Sequence, residues 1–144
     1  MKSKGDVIDF DDERGAELVK AWNRQCMLAK QINWRVIARR VVNSPCSRFW
    51  VSEERAAIVV GLMLKGEKKI HCTNTKREMF EEIYRRFLIE REKHPTASIT
   101  ALTVKVVNSP APKFYLTPHT AYVYIQKYRK KIFEARKRKL RHLF

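Results

Sequence analysis

Glycine and proline are scarce in this 144-residue chain, at four and five residues. That is too little punctuation for an all-β protein, and the 44% hydrophobic content is too high for a disordered one. Cysteine occurs three times, as Cys26, Cys46 and Cys72. An odd number so widely spaced supports no disulfide framework, and buried, reduced thiols are expected. The longest apolar run, Ala56 to Val60 continuing through Gly61 to Leu64, falls far short of the roughly 20 residues of a bilayer span. No apolar core follows the first lysines as it would in a signal peptide. No membrane contact is therefore expected, and the expected location is cytoplasmic, nucleoid-associated or virion-associated.

Acidic residues are the other shortage, with 15 Asp and Glu against 31 Lys and Arg and a formal net charge of +16. The imbalance is uneven along the chain. Residues 1–20 net −2, residues 21–125 net +10, and residues 126–144 net +8. A basic body with a more basic C-terminal segment is the electrostatic footprint of a polyanion binder, since each cation that meets a phosphate releases condensed counterions.

The chain repeats itself. Val41-Val42-Asn43-Ser44-Pro45 recurs 65 residues later as Val106-Val107-Asn108-Ser109-Pro110, inside a 28-position match with seven identities. Most other pairs keep their chemistry, among them Ile37/Leu102, Arg48/Lys113, Trp50/Tyr115 and Ser52/Thr117, and the register extends upstream to pair Trp22 with Phe87. Two units of about 60 residues nearly fill the chain. The expected organisation is a flexible N-terminus at 1–10, repeat 1 at 11–66, a linker at 67–74, and repeat 2 at 75–144 with a basic C-terminal helix.

Start and stop signals divide each repeat into three helices. In repeat 2, Thr75-Lys76-Arg77-Glu78 has capping-box spacing, and Phe80, Ile83, Tyr84, Phe87 and Leu88 form a helical stripe that His94-Pro95 stops. Thr96 or Ser98 caps a shorter helix that ends before Asn108-Ser109-Pro110. Thr117-Pro118 then starts a third helix that runs to about residue 142. Repeat 1 reads likewise, with helices near 12–31, 33–42 and 53–65, capped by Asp11/Asp12, Asn33 and Ser52 and closed by Gly66. The fold class expected is all-α, as two tandem three-helix repeats. Trp22/Phe87, Trp34/Ile99, Phe49/Phe114 and Trp50/Tyr115 stay large and apolar in both copies, which packing demands and base stacking does not, so they are assigned to the core.

A basic three-helix unit whose second and third helices are joined by a turn resembles the helix-turn-helix class of DNA-binding modules, in architecture, and similar segments occur in small basic proteins of bacteria and their phages. Trp22, Trp34 and Trp50, spaced 12 and 16 apart, lack the regular spacing of Myb-type repeats. The resemblance implies duplex binding through a third helix. That of repeat 1 is apolar on nearly every side, which makes it a poor groove reader and offers Ile58, Leu62 and Met63 to a protein partner or a second copy. In repeat 2 the stripe Ala121, Tyr124, Ile125, Tyr128 and Ile132 leaves His119, Thr120, Tyr122, Val123, Gln126, Lys127, Arg129, Lys130 and Lys131 facing outward. His119, Thr120 and Gln126 suit base edges, while Lys127, Arg129, Lys130 and Lys131, with Arg136, Lys137, Arg138, Lys139 and Arg141 of the arm, suit phosphates. Arg48 and Lys113, each beside two aromatics, either touch phosphate or lie over a ring face.

Signatures of catalysis are weak. Gly61 to Lys68 has the glycine spacing of a phosphate-binding loop, but Glu67 stands where the lysine belongs and would repel phosphate. His71-Cys72, Cys26, Cys46, His94 and His119 offer no paired ligand spacing for zinc. No cofactor is expected. The expected function is therefore non-enzymatic binding of double-stranded DNA, regulatory or organising, in a bacterium, phage or mobile element. The competing class is a phage or ribonucleoprotein assembly protein whose basic face neutralises packaged nucleic acid or docks an acidic partner. RNA binding ranks third because the aromatics read as buried.

Overall fold

The computed structural model describes residues 4–67 and 72–143. These form six helices and no strand: α1 (Lys4–Leu28), α2 (Trp34–Val42), α3 (Glu53–Leu64), α4 (Asn74–Lys93), α5 (Ile99–Val107) and α6 (Pro118–Leu143).

Local chemistry sets most of the helix ends. Asn33 Oδ1 accepts from the Arg35 amide at 3.0 Å, Ser52 Oγ from Arg55 at 3.1 Å, Ser98 Oγ from Ala101 at 3.1 Å and Thr117 Oγ1 from Thr120 at 3.2 Å. Each supplies a partner to one of the amides that a helix start leaves free. The cap of α4 is Thr73 rather than Thr75, so α4 begins at Asn74, at the end of the expected linker, whose residues 68–71 lie outside the described part. Gly66, at φ +88°, turns the chain out of α3, a conformation that a side chain would strain. The two Asn-Ser-Pro segments end their helices in the same manner: Asn43 and Asn108 donate back to the carbonyls of Arg39 and Val104 at 3.0 and 2.9 Å. Ser44 and Ser109 donate to Arg40 and Val106.

Of the stretch 1–10 expected to be a flexible N-terminus, residues 1–3 lie outside the described part, while the backbone of residues 4–10 belongs to α1, which therefore starts before the expected helix near 12–31. Asp11 and Asp12 accordingly sit inside that helix and cap nothing.

The chain divides into two compact units, but not along the expected boundaries. Unit 1 comprises Met1–Ser44 with Thr117–Phe144, and unit 2 comprises Pro45–Leu116. In unit 1, α1, α2 and α6 pack together; in unit 2, α3, α4 and α5 do. Each unit thus joins the first two helices of one repeat to the third helix of the other, in place of the contiguous units 11–66 and 75–144. The physical reason lies in the connectors. Residues 43–52 and 108–117 are ten-residue links carrying prolines, long enough to reach about 35 Å when extended.

Both connectors contribute to the core of unit 2. Cys46 and Ala111, equivalent positions of the two repeats, exchange backbone hydrogen bonds at 3.0 Å in an antiparallel pair, and the Phe49 amide donates to Val107. Phe49, Phe114, Trp50 and Tyr115 are all buried, with the Phe49 and Tyr115 rings stacked at 5.9 Å. Burial pushes the Tyr115 hydroxyl up to about 12. Tyr115 also adopts φ +56°, a left-handed conformation costing about 1–2 kcal/mol for a non-glycine residue, which its packing holds in place. Of the cysteines Cys46 is buried, its thiol donating to the Arg48 carbonyl at 3.2 Å, whereas Cys26 and Cys72 are half-buried.

Glu82 ties α4 to the second connector. It accepts from Arg85 and from Arg86, and Arg86 in turn donates to the Pro110 carbonyl at 2.7 Å. The Arg85 hydrogen bond, with help from Arg86, holds the Glu82 carboxyl below its ordinary value. A carboxylate depressed on folding stabilises the protein above its unfolded pKa and ceases to do so as pH falls through the folded one. Glu82→Gln is therefore expected to lower the melting temperature at pH 7, by a margin that shrinks as pH falls below the ordinary carboxylate range. Melts of both proteins from neutral to acid pH check it; a margin that grows as the pH falls would refute the assignment.

The close approach of α1 and α6 in unit 1 depends on Gly15. A Cβ placed there would stand 2.6 Å from Tyr128 Cδ2 and 2.8 Å from its Cγ. Because the ring root is involved and not a flexible tip, α6 must back away. Gly15→Ala is expected to destabilise by about 1–3 kcal/mol through overpacking, outweighing the roughly 1 kcal/mol that Ala gains in a helix interior. Chemical denaturation of the variant measures the balance, and a stabilised variant would contradict the contact.

Candidate nucleic-acid interface

Unit 1 holds 18 Lys and Arg against seven Asp and Glu, a net of +11, while unit 2 holds 13 against eight, a net of +5. The excess in unit 1 is concentrated on α6, whose 26 residues extend for about 39 Å. Thr117 and the ring of Pro118 start this helix. Ala121 and Ile125 are buried in unit 1, and Tyr124, Tyr128 and Ile132 are half-buried beside them. From residue 133 to residue 143 every side chain is exposed. The α6 helix therefore consists of a packed portion and a solvent-borne basic arm of about 16 Å.

Twelve of the fourteen candidate residues lie on α6. His119, Gln126, Lys127, Arg129 and Lys130 are exposed, and Thr120 is half-buried, its Oγ1 accepting a hydrogen bond from Thr117 at 2.8 Å. Lys131 is exposed but engaged, donating to Asp12 Oδ1 at 2.6 Å, and that hydrogen bond raises its pKa, keeping the ammonium charged. Arg136, Lys137, Arg138, Lys139 and Arg141 line the arm, with the Lys137 ammonium 5.5 Å from the Phe133 ring centre. Tyr122 departs from its expected outward position. It is half-buried against Trp22 and Trp34, with ring centres 5.7 and 4.5 Å away.

Arg48 and Lys113 lie in unit 2, apart from the α6 group in the division of the chain. Arg48 donates to the carbonyls of Phe49 and Val51 at 3.1 and 2.9 Å and lies over the Trp50 ring. Lys113 pairs with Glu78 at 2.9 Å and lies over the Tyr115 ring. Each thus lies over a ring face, one of the two arrangements expected for this pair.

Unit 1 holds further exposed cations outside the candidate set, Arg24 on α1, Lys30 between α1 and α2, and Arg35, Arg39 and Arg40 on α2. A signal for them exists in the sequence, since residues 18–52 contain seven Lys or Arg and no acid. In unit 1 six of the seven acids lie in residues 1–17, the other being Glu134. Asp11 and Asp12 there are matched to Arg14 and Lys131. The α3 helix, by contrast, buries Ala56, Val59 and Val60 in unit 2 and leaves Ile58 and Leu62 exposed and Met63 half-buried.

Among the described residues no group of three or more His, Cys, Asp or Glu is placed to hold a metal ion, and no helix is long and apolar enough to cross a membrane. What the arrangement offers chemically is a cationic helix of groove-filling width with small polar and apolar side chains at its start. No protein-family model, no curated protein and no solved structure matches the chain.

Proposed function

We propose that the protein is a non-enzymatic binder of double-stranded DNA, built from two copies of a helix-turn-helix-like three-helix unit that have exchanged third helices. In this reading unit 1 carries the contact. The observation that supports it most is the separation of charge from core on α6: its inner face packs on α1 and α2, while its outer face and arm present cations of which, among the described residues, only Lys131 forms an ion pair. The helix enters the major groove with His119, Thr120 and Gln126 toward base edges, and Lys127, Arg129, Lys130 and the arm neutralise phosphates. Unit 2, with its lower charge and with Arg48 and Lys113 occupied internally, serves as scaffold.

Anisotropy titrations of duplex DNA, single-stranded DNA and RNA over a range of salt test the reading. Tightest binding to duplex with a steep salt dependence is the expected result. Equal or weaker binding to duplex than to the other two would refute it. A second reading, that of an assembly protein of a phage or ribonucleoprotein particle, is favoured by the exposed Phe133, Leu140 and Leu143 among the cations of the arm. It predicts salt-sensitive but sequence-indifferent binding accompanied by self-association.

A further inference from the structure

The corner where α1 gives way to α2 exposes more large apolar surface than any other ten-residue stretch of the described chain. Met27 is 87% exposed, Leu28 71%, Ile32 69% and Trp34 38%. Side chains of this size do not gather in water without a use. The shared fold does not require them, because the equivalent positions in repeat 2, at the corner between α4 and α5, are Glu92, Lys93, Ala97 and Ile99. The same ten residues contain Lys30 and Arg35 and lie within the acid-free stretch 18–52.

The exchange of third helices gives this corner its neighbour. The apolar corner belongs to repeat 1 and the basic third helix to repeat 2, yet both are in unit 1, and the Trp34 ring rests 4.5 Å from that of Tyr122, one turn into α6. Unit 2 combines the opposite pair, a polar corner and the apolar α3 with Glu53 and Glu54 in its first turn. Apolar corner and cationic helix therefore occur together or not at all. A partner carrying negative charge on its outside and flat apolar surface inside matches this pairing, and stacked base pairs behind a phosphate backbone have that chemistry.

We propose that the α1–α2 corner is a wedge that enters a base-pair step of the duplex held by α6, with Met27, Leu28 and Ile32 as the inserting side chains, and that it kinks the DNA. Lys30 and Arg35 meet the flanking phosphates, and Trp34, braced on Tyr122, fixes the base of the wedge. The inference rests on the duplex-binding reading of unit 1. Partial unstacking by apolar side chains bends duplexes by roughly 20–90°, a change that end-to-end distance reports directly.

The test uses the full chain and a duplex of about 20 base pairs, roughly 65–70 Å from end to end and stiff on this length scale, labelled at both ends for energy transfer and read at saturating protein. The companion is the triple variant Met27→Gln, Leu28→Gln, Ile32→Gln, whose three sites are mostly exposed, with circular dichroism confirming an unchanged helix content. The expected result is a rise in transfer on binding of the wild type, absent with the variant, while the variant's affinity stays within about tenfold of wild type because α6 still neutralises the phosphates. Binding with no rise in transfer, or an equal rise with the variant, overturns the wedge and leaves the duplex reading standing. Failure of the wild type to bind duplex overturns both. Co-sedimentation of the wild type with phosphatidylserine vesicles, abolished in the variant while DNA bending persists, overturns the wedge and assigns the corner to a lipid surface.

Discussion

Phe114→Ala is expected to cost about 3–5 kcal/mol of unfolding free energy. Its ring is 2% exposed, in the part of unit 2 where the two connectors pair through Cys46 and Ala111. The lost volume lies between segments held by backbone hydrogen bonds and by the Phe49–Tyr115 stack, so the site collapses poorly and the cavity term is retained. Against a total stability of about 5–15 kcal/mol this lowers the melting temperature by about 10 °C or more. Trp34→Ala serves as the contrast. Both residues occupy positions kept large and apolar in the repeats, but the Trp34 ring, 4.5 Å from that of Tyr122 and 5.4 Å from the Arg35 guanidinium, is 38% exposed. Its loss is expected to cost no more than about half as much. Calorimetric melts of the two variants decide the matter, and equal destabilisation would contradict the difference in burial.

That contrast shows where sequence reasoning reaches and where it stops. Helix ends were legible because capping is local: Asn33, Ser52, Ser98 and Thr117 each bond an amide two or three residues on, and Asn-Ser-Pro forbids continuation without reference to the rest of the fold. The all-α class followed from periodicity. The partner of each third helix was not legible, since an apolar stripe specifies that a face is buried and leaves open which helix covers it. The ten-residue connectors allowed either answer, and the structure joins α3 to α4 and α5, and α6 to α1 and α2. Trp34 was assigned to the core on the strength of its pairing with Ile99, yet both stand at the first turn of their helices and both are partly exposed. Retention of size in two copies reported a common helix start rather than a common core. The start of α1 is not legible because residues 1–10 hold Gly5, two lysines and two acids around a short apolar set, Val7, Ile8 and Phe10, too brief to mark a helical stripe.

The candidate site was legible in its charge and less so in its geometry. The cations of 126–144 stand out from composition alone, whereas the division of α6 into a packed portion and a free arm depends on where α1 and α2 end beneath it. Tyr122 illustrates the difference. On a wheel fixed by Ala121 and Ile125 it falls outside the stripe, but two flanking helices cover a wider arc than one, and Trp22 and Trp34 draw it inward. The acid-free run 18–52 was equally visible and acquired meaning only when α2 proved to pack on α6.

Removing residues 133–144 is expected to produce the largest change in binding. Truncation after Ile132 keeps Tyr128 against Gly15 and the Lys131–Asp12 ion pair, so unit 1 retains its contacts while five Lys and Arg and one Glu are lost. A single helix shows one face to a duplex, so about three of the five cations reach phosphates. At about 0.9 counterions released per phosphate, the slope of log affinity against log salt flattens by roughly 3. Between about 50 and 200 mM salt the full-length protein should consequently lose about 40-fold more affinity than the truncated one. Sequence preference is not expected to change, because no arm residue precedes the groove-facing start of α6. Gln126→Ala gives the complementary outcome, altered preference among duplexes with the slope unaffected, since an uncharged side chain releases no counterion. Isotherms at several salt concentrations for the three proteins, each on two or more duplex sequences, separate these terms. An unchanged slope after truncation would mean that the arm faces away from nucleic acid, and its exposed Phe133, Leu140 and Leu143 would then mark it as a protein-docking helix.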